Sequence, residues 1–162
     1  MVLLTHARYL AVLAVFAIAP GCGDFEFADR HVTASVEHPA PGAEIPDDDV
    51  IVGLDDTLEI TDDCTVMSVE VEIEIEHDWS QDLTIDLTGP DGTVVRLLAA
   101  TDDGDGERDL FETFPGTLDA VGDLTDFAGS EGRGNWTLRI EDDGEGDTGR
   151  LVAWLLRLGC DR

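Results

Sequence analysis

Residues 69–76 read Val69-Glu70-Val71-Glu72-Ile73-Glu74-Ile75-Glu76, an unbroken alternation of aliphatic and acidic side chains. Successive side chains of an extended strand point to opposite faces, so this segment has one apolar face and one anionic face. One face must therefore pack against a core while the other stays in water. A register slip of a single residue would bury four carboxylates, which fixes the pairing of this strand strongly.

The same period of two recurs along the chain. Leu83-Thr84-Ile85-Asp86-Leu87 alternates, and Gly89-Pro90-Asp91-Gly92 follows it as a tight turn ending in a residue suited to the left-handed region. With the strand over residues 93–98 these form a hairpin. Trp136-Thr137-Leu138-Arg139-Ile140 places Trp, Leu and Ile on one side, and Val152, Trp154, Leu156 and Leu158 repeat the pattern near the end. Strands separated by Gly, Asp and Pro turns, with no long amphipathic helix, predict an all-β antiparallel sandwich. Core strands at both ends of the sequence imply high contact order and slow folding.

At 162 residues the chain holds one domain with a sizeable core. It contains 9 basic residues, all arginine, against 37 acids, a net charge of −28. Nucleic acid and anionic membrane surfaces are poor partners for such a chain. Because 43% of the residues are apolar, the chain still buries a core, unlike an acidic disordered tail. The charge reads first as solubility, with a cation or a basic partner as the alternative.

Residues 1–21 have the form of a secretory signal: His6 and Arg8, an apolar run from Tyr9 to Ile18, then Ala19-Pro20-Gly21 before Cys22. The apolar run is about half the ~20 residues a spanning helix needs. The last residues are similar to a bacterial lipobox, which would make Cys22 the lipidated N-terminus of an exported protein anchored to the cell envelope. A plain signal-peptidase cut, leaving Cys22 a free thiol, is the alternative. With Cys22 assigned to lipid, Cys64 and Cys160 remain as an even pair in an exported domain, the composition expected of one disulfide. Residues 22–43, with Pro39, Pro41 and Gly42 and no sustained period, read as a flexible tether, and 44–162 as the folded domain.

A succession of short motifs then carries a family resemblance. Residues 77–83 (His77-Asp78-Trp79-Ser80-Gln81-Asp82-Leu83), 87–93 (Leu87-Thr88-Gly89-Pro90-Asp91-Gly92-Thr93), 134–138 (Gly134-Asn135-Trp136-Thr137-Leu138), Asp147-Thr148-Gly149-Arg150-Leu151 and Trp154 resemble, in order and spacing, the P (Homo B) domain of proprotein convertases and subtilisin-like proteases. The resemblance begins at Ile45-Pro46-Asp47 and runs to about residue 159, departing from the family over residues 114–127. It implies a jelly-roll, galactose-binding-like β-sandwich that accompanies a serine-type endopeptidase and influences its stability in proteolysis. Trp79, Trp136 and Trp154 are then apolar anchors, and Gly92, Gly134 and Gly149 permit turns.

The candidates for chemistry are few. Ser35, Ser68, Ser80 and Ser130 lie in no nucleophile elbow, and His31 and His38 fall in the expected tether. His77 and Asp82 suggest a pair that joins a strand end to its loop rather than a catalytic dyad. Calcium wants six to eight oxygens, and two Gly-rich loops cluster carboxylates, residues 102–107 and 142–147. Asp102, Asp103, Asp105 and Glu107 are the first metal candidates and Asp82 a further one, although neither loop has full EF-hand spacing and solvated turns are the alternative. The expected function is that of a non-catalytic, surface-anchored binding module. Its partner would be a subtilisin-like protease or another envelope or extracellular protein. A calcium-dependent adhesion or glycan-binding module is the rival.

Overall fold

In the computed structural model, which describes residues 30–47, 52–101 and 109–161, the acid-aliphatic segment is the middle of a thirteen-residue strand (Thr65–His77). Val71, Ile73 and Ile75 are fully buried, while Glu74 and Glu76 are exposed. In chain order the strands are β1 (Arg30–Glu37), β2 (Ala43–Ile45), β3 (Leu54–Ile60), β4 (Thr65–His77), β5 (Leu83–Thr88), β6 (Val94–Leu98), β7 (Leu110–Phe114), β8 (Gly134–Asp142) and β9 (Gly149–Asp161). Single 3-10 turns occur at Ser80–Asp82 and Leu124–Phe127. The first sheet runs β1-β9-β4-β7, with β2 also on β9, and the second runs β3-β8-β5-β6. All pairings are antiparallel, and the two sheets close over one core as the expected β-sandwich.

The long β4–β9 pair is the spine of the first sheet, paired from Thr65↔Asp161 at one end to His77↔Gly149 at the other with a register shift near each end. The Cys64–Cys160 disulfide fastens the first of those ends, with Cα atoms 5.2 Å apart. In the core Trp136 is fully buried, meets the Phe127 ring edge-on at 5.0 Å and donates its indole N–H to the Gly132 carbonyl at 2.8 Å. Trp154 donates to Asp56 Oδ2 at 3.2 Å, and the same oxygen is 2.7 Å from His38 Nε2. Asp56, on β3, thereby ties the second sheet to β9 and to the chain leaving β1. A buried indole needs such a polar partner.

Three expectations are corrected. The tether expected over 22–43 gives way at Arg30, because 30–37 pair with β9 over eight residues and Val32, Ala34 and Val36 lie on the core side. Trp79 is not a buried anchor: it is 40% exposed, at the strand end where the 3-10 turn begins. Val152 leaves the apolar row of β9, because a bulge between Glu74 and Ile75 makes it the extra residue and gives its inward place to Leu151. Residues 1–21, Cys22, Asp102, Asp103, Asp105 and Glu107 lie outside the described residues.

Candidate functional site

The end of the spine opposite the disulfide gathers most of the residues singled out in the sequence. The period of β4 carries on past Ile75 and turns His77 inward, and the period of β8, through Trp136, Leu138 and Ile140, does the same for Asp142. Their side chains, both 0% exposed, meet at 3.0 Å between Nε2 and Oδ2. His77 Nδ1 lies 2.9 Å from the Trp79 backbone nitrogen and accepts its N–H. An imidazole that accepts at Nδ1 carries its proton on Nε2, so His77 is the donor to Asp142. The other carboxylate oxygen of Asp142 accepts the Gly144 N–H at 3.1 Å. Both ring nitrogens are thus committed to bracing the end of the sandwich. The partner of His77 is Asp142 and not the expected Asp82.

Backbone bonds extend the brace. Asp109 Oδ1 accepts the His77 N–H at 3.1 Å, and the Asp109 N–H returns to the His77 carbonyl at 3.2 Å. The Asp78 N–H donates to the Thr148 carbonyl, the Thr148 hydroxyl to Asp78 Oδ2, and the Gly146 N–H to Asp47 Oδ1 at 3.0 Å. Gly149 is required here for closeness and not for a turn, because a Cβ would collide with His77 Cδ2. Gly92 is the turn residue expected, at φ +86°.

The electrostatics of this end are those of crowded carboxylates. Burial pushes the Asp142 carboxyl above the ordinary value, against the bonds from Gly144 and His77 that pull it down. Burial also raises Asp82, and the neighbouring charges of Asp142, Asp143 and Asp147 raise it further. A cleft of about 350 Å³ opens beside the brace, lined by Glu76, His77, Asp78, Asp109, Thr148 and Arg150. Thr101 and Asp109 also bond into this end, the Thr101 N–H donating to the Gln81 carbonyl and the Asp109 N–H to that of His77. Among the described residues, however, no three His, Cys, Asp or Glu side chains are arranged to hold a metal ion. Of the expected site residues, the structure unites His77, Asp82, Asp147 and Gly149, places Trp136 and Trp154 in the core, and sets Gly92 in its hairpin turn.

Comparison with known proteins bears on the family and the fold. The proprotein convertase P-domain family matches residues 66–158, more than half of the chain. Over 89 residues, covering 55% of the chain, the sequence is 34% identical to a transglutaminase-activating metalloprotease of Streptomyces mobaraensis. Over 104 residues, covering 64% of the chain, it is 28% identical to a calcium-dependent protease of Trichormus variabilis. The chain spans only 10% and 15% of the lengths of those two relatives. Its fold is similar to part of the serine protease of Aeromonas sobria solved with its chaperone, at a TM-score of 0.59 and 22% identity, covering 82% of this chain and 28% of that one.

Proposed function

The chain belongs to the proprotein convertase P-domain family, and on that premise we propose that it is a non-catalytic protein-interaction module, accessory to a protease, held at the cell surface by lipid on Cys22. One observation supports this most directly: the part it shares with its protease relatives is 10–15% of their length and folds as a sandwich whose buried His77 serves as a brace. The anchor would localise the domain outside the cytoplasm, where a subtilisin-like protease or another envelope protein would meet it. Crosslinking the intact lipoprotein in its native envelope, followed by identification of the adducts, tests the reading. Recovery of a serine protease is the expected result, and recovery of glycans or of no protein partner overturns it.

The name of one relative, a calcium-dependent protease, and the strained charge of Asp82 favour a second reading in which a calcium ion contributes at the same end. The described residues do not compose a complete site, so Asp102, Asp103, Asp105 and Glu107 would have to supply most of the oxygens. Asp82→Asn separates the readings. A carboxyl whose folded-state pKa is raised costs stability above that pKa and ceases to cost it once protonated. Without calcium, Asp82→Asn should therefore melt higher than the parent at pH 7, with the difference fading as pH falls through the carboxylate range. If Asp82 is a ligand, millimolar calcium reverses the order by stabilising only the parent. An order that calcium leaves unchanged excludes Asp82 as a ligand.

A further inference from the structure

The outer faces of the two sheets are built on opposite electrostatic plans. On the second sheet one cross-strand row reads Asp55, Arg139, Asp86, Arg96, with charge alternating in sign across all four strands. Arg96 holds Asp86 through two bonds of 2.9 Å, and Arg139 reaches Asp55 at 3.1 Å and Glu141 at 2.7 Å. That face satisfies itself. On the first sheet the corresponding rows read Ser35, Leu155, Glu72, Thr113 and then Glu37, Ala153, Glu74, Phe111. These rows hold three glutamates and no cation. Of the rows on either side, one carries Arg157, committed to Glu70, and the other sets Arg150 opposite Glu76, so both flanking arginines stand beside glutamates of their own rows. Between the acids lies a depression of about 190 Å³ lined by Ser35, Glu37, Glu72, Glu74, Ala153 and Leu155. Phe111, 65% exposed, pairs with Glu74 on the neighbouring strand.

We infer that this face binds an extended, basic segment of a partner protein, with arginine or lysine at alternate positions. The chemistry is complementary at each point. Basic side chains two residues apart in an extended segment are about 7 Å apart, the spacing of Glu72 and Glu74 along β4. Their aliphatic stems would lie on Ala153 and Leu155 while their charged heads reach Glu37, Glu72 and Glu74. Phe111 offers a ring face to a guanidinium. A bare metal ion is not what this face is arranged for, since among the described residues no three His, Cys, Asp or Glu side chains are grouped to hold one. Nucleic acid and anionic lipid are repelled.

The inference rests on the reading of the chain as a protein-binding module, but not on which protein it binds. The probe is an acetylated, amidated octapeptide of alternating arginine and serine, titrated into the full chain by calorimetry at two salt concentrations. The variant E37Q/E72Q/E74Q is compared with E59Q/D119N/D126N, which removes the same number of charges from exposed positions elsewhere. We expect the first set to weaken binding about tenfold or more and the second by no more than about twofold. Equal losses in the two sets would reduce the effect to overall charge and overturn the proposal, as would a parent chain that does not bind the peptide. A chain that binds the peptide through this face yet crosslinks to no protease keeps this inference and loses the protease-accessory reading.

Discussion

Converting Cys64 and Cys160 to serine is expected to lower the free energy of unfolding by about 4–5 kcal/mol. The bond encloses 96 residues, and the chain-entropy estimate for a loop of that length is about 4.7 kcal/mol at 25 °C. It also joins the two strands with the longest mutual register, so without it the unfolded chain must bring the sequence ends of the spine together before any β4–β9 contact forms. Small domains are stable by only about 5–15 kcal/mol, so the serine variant would stand near the limit of folding. Urea titrations should show a lower midpoint and a somewhat larger denaturant slope, because an uncrosslinked unfolded chain exposes more surface. A loss under about 1 kcal/mol would mean that native packing alone sets the closure of this end.

His77→Ala is expected to cost about 3 kcal/mol at neutral pH. It removes the donor to a carboxylate with no solvent exposure and leaves that charge, among the described residues, with the Gly144 N–H as its remaining donor. The pH dependence identifies the cause. The bond from His77 holds the Asp142 carboxyl down against burial, so in the variant that carboxyl should rise further. A charged group with a raised folded-state pKa penalises the fold above that pKa and not below it. The gap between parent and variant should therefore narrow as the solution is acidified toward the carboxylate range. A gap independent of pH would instead assign the cost to lost packing of the imidazole on Gly149.

The strands with steep alternation were legible in the sequence, since few other conformations give residues 69–76 a wholly apolar side. β1 was not: its inward residues are Val32, Ala34 and Val36, a weak signal beside Pro39, Pro41 and Gly42, and only pairing with β9 makes it a strand. The brace was half legible. His77 and Asp142 occupy the next inward positions of two strands already recognised, and a polar residue at such a position needs a buried partner. Which partner it finds depends on how the sheets stack, and that is not written in local periodicity. Asp56 carries the same lesson on β3, an acid at an inward position whose indole partner is 98 residues away.

Because β4 is fastened covalently to β9 at one end and, near the other, to β8 of the facing sheet by the His77–Asp142 brace, it cannot slide past its neighbours. The outward glutamates of β4 then form a comb with fixed spacing, already rigid before any partner arrives. A segment that docks there bears nearly all the ordering cost itself, so selectivity would depend on how well its own charges are spaced and not merely on how many it carries.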